Sequence, residues 1–171
     1  MPLQHNSTTP SELLKQLVPL LAPNSHILDL ACGSGRNGLW LESQGYNVTY
    51  LDKNSEALAG IVEKNHQAKI IEADLESNTP YQLAESAYDA IIVFRYLHRP
   101  LMQKLVKALK PGGILVYETF THQQATIGRP KNPNFLLQDN ELPQTFPMLT
   151  THLHQQHFYQ QAYIAQYIGI N

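Results

Sequence analysis

Apolar and polar positions follow two recurring patterns along residues 26–118, and these patterns predict strands and helices in turn. Short apolar runs, typical of strands buried on both faces, are separated by stretches in which apolar residues recur at helical spacing. The predicted strands are 26–31, 47–52, 68–72, 88–94 and 114–118. Strands and helices that alternate through short connections are typical of an open, mostly parallel α/β sheet.

The predicted helices carry ordinary start and stop signals. Ser11 opens an amphipathic segment, and Asn54 is placed to cap the helix that follows the second strand. Gly45 ends the helix after the first strand, and a further helix is predicted over 100–109. Residues 1–10 are polar and flanked by proline, so we expect a loose arm there.

The alternation of strands and helices stops after the fifth strand. Residues 121–147 are rich in proline and polar residues and are too long for a plain connection, so we predict a lid or substrate loop. Two strands are predicted near 152–159 and 161–170, with no room for a helix between them. They should therefore form an antiparallel hairpin at one edge of the sheet.

Composition narrows the function classes without choosing one. The chain has 171 residues, enough for one domain with a real core, which we place over 1–171. A net charge of −2 gives no electrostatic reason to expect nucleic acid or a membrane surface as partner. The lone cysteine, Cys32, and the lack of a signal-like N-terminus lead us to expect a cytoplasmic protein.

The most informative motif follows the first predicted strand. Gly33 and Gly35 form a glycine-rich turn into a helix, as required where a ligand approaches the backbone closely or φ is positive. This arrangement is typical of sites for nucleotide-like cofactors. In open α/β sheets these ligands bind at the carboxyl ends of the strands, where Asp52 is placed to accept hydrogen bonds from ribose hydroxyls. With Gly38 the glycines also spell G-x-G-x-x-G, so a nicotinamide-dependent reductase is an alternative.

Three further features favour a different cofactor. Asp29 lies inside the end of the first strand, where a carboxylate would face a cationic cofactor tail rather than a pyrophosphate. Asp74 closes the third strand with an acid suited to an adenine amino group. The Lys-Pro-Gly-Gly turn at 110–113 and the C-terminal hairpin complete a plan of seven strands.

In these features the chain resembles the class I S-adenosylmethionine-dependent methyltransferases. The segments that carry the resemblance occur in the family's order and are 27–35, 50–52, 72–75, 88–92 and 109–115. Within that class the chain looks like small bacterial enzymes grouped with the tellurite-resistance methyltransferases, from segments 96–101, 117–120 and 128–136. The resemblance implies a Rossmann-like three-layer α/β sandwich with strand order 3-2-1-4-5-7-6 and an antiparallel seventh strand.

The resemblance also implies a cofactor, S-adenosyl-L-methionine, and a product, S-adenosyl-L-homocysteine. The residues expected to bind it lie in the glycine turn and at the carboxyl ends of the first four strands: Asp29, Ala31, Gly33, Ser34, Gly35, Asn37, Asp52, Lys53, Asp74, Leu75 and Phe94. Motifs of adenine or cytosine methylation in nucleic acids are missing from the sequence, so we expect a small-molecule acceptor. A non-catalytic protein that binds S-adenosylmethionine is a further alternative.

The end of the fourth strand supplies the candidate catalytic residues. Tyr96, His98 and Arg99 would lie beside the transferred methyl group, and His98 has the side-chain chemistry of a general base near neutral pH. An equally open alternative is that His98 and Arg99 only pack the loop. Tyr117 and Glu118 would face the same cleft if the strand alternation is favourable.

Polar residues of the 121–147 segment and histidines near the C-terminus are further candidates for ligand contacts. Arg129 and Asn132 are candidates to close over an anionic or polar substrate, with an ordered surface loop as the alternative. His152, His154 and His157 alternate along a predicted strand and are expected to be solvated side chains rather than metal ligands. We therefore expect no metal site, and the sequence does not indicate the oligomeric state.

Overall fold

The strands form where the apolar runs predict them. The structure is a computed structural model that describes residues 8–171, so most of the arm predicted for 1–10 lies outside the described residues. The strands are β1 His26–Leu30, β2 Asn47–Asp52, β3 Lys69–Glu72, β4 Tyr88–Phe94, β5 Leu109–Phe120, β6 Thr150–Tyr159 and β7 Ala162–Ile170. The α-helices are α1 Leu14–Leu17, α2 Arg36–Ser43, α3 Ser55–Lys64, α4 Met102–Ala108 and α5 Glu141–Thr145. Short 3-10 turns lie at Val18–Leu20, Arg99–Leu101, His122–Thr126 and Pro133–Phe135.

All seven strands belong to one sheet in the order β3-β2-β1-β4-β5-β7-β6. Strands β1 to β5 pair in parallel, whereas β7 is antiparallel to both β5 and β6. The predicted strand order and the antiparallel hairpin are confirmed. The order reverses between β1 and β4, and in such sheets ligands bind where the carboxyl ends of these two strands meet.

The sheet is covered on both faces, which gives the three-layer, Rossmann-like arrangement. One face is packed by the first three α-helices, whose buried core side chains are Leu14, Leu17, Leu41, Leu58 and Ile61. The other face is packed by α4, α5 and the segment around them, with Met102, Leu105, Leu137, Leu142 and Phe146 buried. Central strands covered on both sides are apolar at nearly every position, as in β4.

Two predicted boundaries need correction. Strand β5 begins at Leu109 rather than at 114, because the Lys-Pro-Gly-Gly segment continues the strand instead of forming a separate turn. Gly112 adopts a φ of 75° there, and its N–H donates to the carbonyl of Asn171 at 2.7 Å. The fourth helix is also shorter than predicted, since a 3-10 turn replaces its first residues.

The long segment over 121–147 is anchored to the body of the protein. Its backbone pairs with the end of β5, since the Leu137 N–H donates to the Phe120 carbonyl at 2.9 Å. Leu136 and Leu137 are almost fully buried, so the middle of the segment contributes to the core. The part between Thr121 and Leu136 therefore forms a loop held at both ends, beside the carboxyl end of the sheet.

Candidate active site

The glycine turn between β1 and α2 has an unusual backbone. Ala31, Gly33 and Gly35 have φ values of 54°, 54° and 73°, in the left-handed region that favours glycine. A Cβ on Gly35 would lie 2.7 Å from the Ile61 side chain, so this glycine lets α2 pack against α3. A Cβ on Gly33 would meet nothing within 4 Å, so this part of the turn borders open space. A ligand can therefore approach the backbone of the turn closely at Gly33, whereas the turn packs against α3 at Gly35.

Asp52, at the end of β2, holds the glycine turn in place. One carboxylate oxygen accepts a hydrogen bond from the Gly33 N–H at 2.8 Å, and the other accepts from the Asn54 N–H at 2.9 Å. Asn54 in turn caps α3, since its side chain accepts from the Ala57 N–H at 3.1 Å. A carboxylate oxygen accepts more than one hydrogen bond, so Asp52 keeps capacity for ligand hydroxyls.

A cavity of about 130 Å³ lies beside this turn. It is lined by residues from the carboxyl ends of β1, β2 and β3 and from the segment after β4: Ala31, Asp52, Lys53, Ala73, Asp74, Leu75, Glu76 and Tyr96. Five of the predicted cofactor residues thus share one cavity with the candidate catalytic Tyr96. Asp74 also shapes the local turn, because its carboxylate accepts from the Glu76 N–H at 2.8 Å.

Asp29 is a buried acid beneath the glycine turn. Its side chain is 3% exposed, and one oxygen accepts from the Gly38 N–H at 3.0 Å. Burial raises the pKa of this carboxyl from 3.8 to about 7, while the Gly38 N–H and the nearby Arg36 guanidinium oppose the shift. A Cβ on Gly38 would lie 2.8 Å from the same oxygen, so only glycine allows this contact.

Six predicted cofactor residues do not line the cavity at Asp52: Asp29, Gly33 and Gly35 lie in or beneath the glycine turn, and Ser34, Asn37 and Phe94 have other surroundings. Ser34 lines a surface depression with residues of α3. Asn37 is buried and accepts a hydrogen bond from the Ser11 N–H at 2.9 Å, so it holds the N-terminal segment. Phe94 packs in the core beneath the sheet. The cavity at Asp52 is therefore formed without the side chains of these three residues.

A second cavity, of about 380 Å³, adjoins the first. Its lining comes from the segment after β4, the end of β5 and the 121–147 loop: Glu76, Arg95, Tyr96, Leu97, Thr119, Phe120, Arg129, Pro130 and Phe135. Glu76 and Tyr96 line both cavities, and the Tyr96 hydroxyl donates to Glu76 at 3.0 Å. Burial raises the pKa of Tyr96, so its hydroxyl stays protonated at neutral pH and acts as a donor.

Arg99 has structural partners in the 121–147 loop, as in the alternative interpretation in which it packs that loop. Its Nε and Nη2 donate to the two oxygens of Glu141 at 2.6 and 3.0 Å. Its remaining donors bind the carbonyls of Asn134 and Leu136 at 3.1 and 2.9 Å. With the guanidinium occupied in this way, Arg99 fastens the 121–147 loop and lines neither cavity.

His98 also lines neither of the two cavities. It precedes the 3-10 turn, and its carbonyl accepts from the Leu101 N–H at 3.0 Å. Tyr117 and Glu118 lie on opposite faces of β5, as consecutive strand residues must. The Tyr117 hydroxyl donates to the Tyr96 carbonyl at 2.9 Å, so it supports the candidate site from beneath.

Sequence reasoning missed Arg95, which the structure places in the larger cavity. Its φ of 57° is rare for a side chain of this size. The guanidinium lies 4.6 Å above the ring of Phe120 and 3.5 Å from the buried carboxylate of Glu118. Glu118 itself accepts hydrogen bonds from the Ser11 hydroxyl and the Gln166 amide at 2.9 and 2.7 Å. A charged residue directly after an apolar strand is the signal that could have identified it.

The described residues offer neither a metal-binding cluster nor a membrane-spanning helix. Among residues 8–171 no group of three histidine, cysteine or acidic side chains is arranged to hold a metal ion. Of the predicted surface histidines, His154 lies edge-on to Tyr167 with ring centroids 6.4 Å apart. In the same range, no helix has the length and apolar character needed to cross a bilayer.

Comparisons with known proteins agree with this geometry. A family model described as a methyltransferase domain matches residues 27–113. A probable S-adenosyl-L-methionine-dependent methyltransferase, TehB of Haemophilus influenzae, is 34% identical over 88 residues, which are 49% of this chain and 30% of TehB. Trans-aconitate 2-methyltransferase of Paracidovorax citrulli is 30% identical over 122 residues, 68% of this chain and 46% of the relative. The chain therefore spans less than half the length of these curated relatives.

Solved structures share the fold. The crystal structure of Haemophilus influenzae TehB superposes with a TM-score of 0.79 at 18% identity, covering 98% of this chain and 64% of that chain. A Burkholderia thailandensis 1,6-didemethyltoxoflavin-N1-methyltransferase, solved with bound 1,6-didemethyltoxoflavin and S-adenosylhomocysteine, has a TM-score of 0.69 at 14% identity. It covers 93% of this chain and 75% of that chain.

Proposed function

The chain belongs to the methyltransferase domain family, and we propose that it is an enzyme that transfers the methyl group of S-adenosylmethionine to a small molecule. The observation that carries this proposal is the pair of adjoining cavities at the carboxyl ends of β1 and β4. One is lined by Asp52 and Asp74, and the other by apolar and cationic residues, with Tyr96 shared between them. A methyl donor and an acceptor need such neighbouring sites.

The smaller cavity suits the nucleoside part of the cofactor. Asp52 offers acceptor oxygens for ribose hydroxyls, and Asp74 offers them for the adenine amino group, between the apolar walls of Ala31 and Leu75. The open side of Gly33 leaves room for the remainder of the molecule. Asp29, buried beneath the turn, would favour a nearby ammonium group because a cation stabilises its ionised form. A pyrophosphate would be repelled there.

Catalysis at this site would depend mainly on how the acceptor is positioned relative to the methyl group. When bound, the cofactor would supply a methyl group on a sulfonium. A lone pair of the acceptor would form the new bond to this methyl group, and the electron pair of the carbon–sulfur bond would return to sulfur. Holding the acceptor in line with that bond supplies most of the rate enhancement. Tyr96 lies where the two cavities meet and is fixed by its hydrogen bond to Glu76. For an acceptor that must lose a proton, the Glu76 carboxylate is better placed than His98.

Several observations favour a small acceptor. A cavity of about 380 Å³ is within the usual size of small-molecule sites. The loop residues Pro130 and Phe135 form part of its wall. The net charge of −2 gives no general attraction for a nucleic acid. Two of the named relatives, trans-aconitate 2-methyltransferase and the toxoflavin enzyme, carry small-molecule substrates in their names.

The test has two parts. Calorimetry should detect binding of S-adenosylhomocysteine and no binding of NADPH; the reverse result would favour the reductase alternative. A labelled methyl donor incubated with the protein and a metabolite extract should then label a small molecule. Tight S-adenosylhomocysteine binding without transfer to any fraction of the extract would favour a non-catalytic binding protein instead.

A further inference from the structure

The larger cavity contains an arginine, Arg95, whose burial and backbone conformation both cost free energy. The side chain of Arg95 is 22% exposed, and its Nη1 is buried without a hydrogen-bond partner among the described residues. Burial lowers the pKa of this guanidinium, and the Glu118 carboxylate opposes that shift. An unpaired buried donor on a charged group costs free energy, and so does a positive φ on a large side chain. Such costs concentrate at binding sites.

Glu118 does not fully satisfy Arg95. The closest approach of the two groups is 3.5 Å, longer than a good charged hydrogen bond. The nearer oxygen contacts of Glu118 go to Ser11 and Gln166, at 2.9 and 2.7 Å. Glu118 thus lies beside the guanidinium but leaves Nη1 of Arg95 without a hydrogen-bond partner among the described residues.

The same cavity has a second cation and apolar walls. Arg129 lines it from the loop side and has no ion-pair partner among residues 8–171. The Arg95 guanidinium carbon lies 4.6 Å over the centre of the Phe120 ring, and Phe135, which is 47% exposed, contributes a second aromatic side chain. The one acid in the lining, Glu76, lies at the junction with the other cavity and is bound by Tyr96. The lining of the acceptor cavity therefore has two cations and one acid, whereas that of the cofactor cavity has one cation, Lys53, and three acids.

We propose that this cavity takes an organic acid as the methyl acceptor, with its carboxylate held by Arg95 and Arg129 and its apolar part against Phe120 and Phe135. The inference rests on the proposed methyltransferase function and specifies its substrate class. A planar carboxylate matches the paired donors of a guanidinium, which a point charge would not. The apolar walls favour an organic acid over a free inorganic oxyanion.

The test measures binding of matched probes to the full chain saturated with S-adenosylhomocysteine. Benzoate, phenylacetate and cinnamate are compared with their neutral amides by calorimetry. We expect at least one acid to bind about ten-fold or more tightly than its amide. Amides that all bind as tightly as their acids, or a complete lack of acid binding, would overturn the inference. Sulfate that displaces the bound acid at equal concentration would also overturn it, in favour of an inorganic anion.

Substitutions of the two arginines test whether these residues cause the preference for acids over amides. Arg95→Lys keeps the charge but loses the planar pair of donors, and Arg129→Gln removes an exposed charge with little risk to folding. Each should reduce the preference for acid over amide by about ten-fold, with S-adenosylhomocysteine affinity unchanged. Lys107→Gln, on the outer side of α4, removes a charge outside both cavities and should change nothing. An unchanged acid preference in both arginine variants would refute the assignment.

The two proposals fail differently. If S-adenosylhomocysteine does not bind, the methyltransferase function itself is contradicted. If it binds, and methyl transfer is found only to neutral or basic acceptors at rates that Arg95→Lys leaves intact, the function stands and the acid-binding inference is refuted.

Discussion

Asp29→Asn separates the structural from the ligand-binding role of the buried acid at the end of β1. The substitution keeps an oxygen for the Gly38 N–H and removes the ionisable group. A carboxyl whose pKa rises from 3.8 to about 7 on folding weakens the folded state by about 4 kcal/mol once it is ionised. The variant lacks that penalty. We therefore expect it to be the more stable protein at pH 8.

The sign of the pH dependence follows from the direction of the shift. The folded state binds the Asp29 proton more tightly than the unfolded state, so wild-type stability falls as pH rises from about 4 to about 7. The stability difference between variant and wild type should grow over that window and level off above pH 7. At pH 8 it should reach roughly 10 °C in melting temperature. A difference that is the same at pH 5 and pH 8 would refute the raised pKa.

Ligand binding should change in the opposite direction. If the ammonium of S-adenosylhomocysteine lies near Asp29, the variant loses a charged interaction and its affinity should fall about 10- to 100-fold. Wild-type affinity should rise between pH 6 and pH 8 as Asp29 ionises, whereas the affinity of the variant should stay flat. Calorimetry at both pH values measures this. A stabilised variant with unchanged affinity would refute the assignment of Asp29 to the cofactor tail.

Asp89→Asn is the matched control. Asp89 lies at the opposite end of the sheet, where it accepts from the His26 N–H at 2.8 Å and from the Lys110 ammonium at 2.9 Å. Burial raises the pKa of Asp89, but these two donors outweigh it and hold the pKa below its ordinary value. Its contribution to stability is present at neutral pH and is lost on acidification. This variant should therefore be less stable at pH 7, with unchanged affinity for S-adenosylhomocysteine.

Three further variants test the remaining assignments. Asp52→Ala removes the acceptor of the Gly33 N–H and should weaken S-adenosylhomocysteine binding about 10- to 100-fold by calorimetry; equal affinity would exclude Asp52 from the ribose site. Tyr96→Phe removes only the hydroxyl bound to Glu76 and should lower methyl transfer about ten-fold or more with little change in cofactor affinity; full activity would contradict its role. Arg99→Gln should lower the melting temperature by about 2–4 °C, since the Glu141 ion pair is partly exposed, without changing cofactor affinity. Lost turnover at an unchanged melting temperature would instead support the predicted catalytic role of Arg99.

The strands were predictable because apolar runs mark segments buried on both faces. The positions of Asp52 and Asp74 in one cavity were predictable for the same reason, since each lies at or just after the end of such a run and so at the carboxyl edge of the sheet. The strand order was not derivable from periodicity and came from the family resemblance. The start of β5 was misplaced because Gly112 continues the strand with a positive φ instead of ending a turn.

The acceptor side was harder to predict because it depends on side-chain direction and distant partners. Arg99 was placed beside the methyl group, but its partner Glu141 is 42 positions away and could not be recognised from local pattern. Arg95 was overlooked because its orientation follows from a left-handed backbone that no residue preference announces in an arginine. Period-2 reasoning placed Tyr117 and Glu118 on the same strand but left open which face of it borders the cleft.

The backbone conformation at Arg95 explains how the residues of the larger cavity come together. Its left-handed φ follows the end of β4, and its N–H donates to the Glu118 carbonyl at 2.7 Å, so the chain turns while still attached to β5. That turn brings Arg95 and Tyr96 to the larger cavity, and it lets Arg99 reach the loop that forms the opposite wall. A residue that relaxed this turn would disturb the acceptor cavity more than the cofactor cavity, because Asp52 and the glycine turn are held by β1 and β2. The proposed acceptor site therefore depends on the segment after β4, and the proposed cofactor site depends on the ends of β1 and β2.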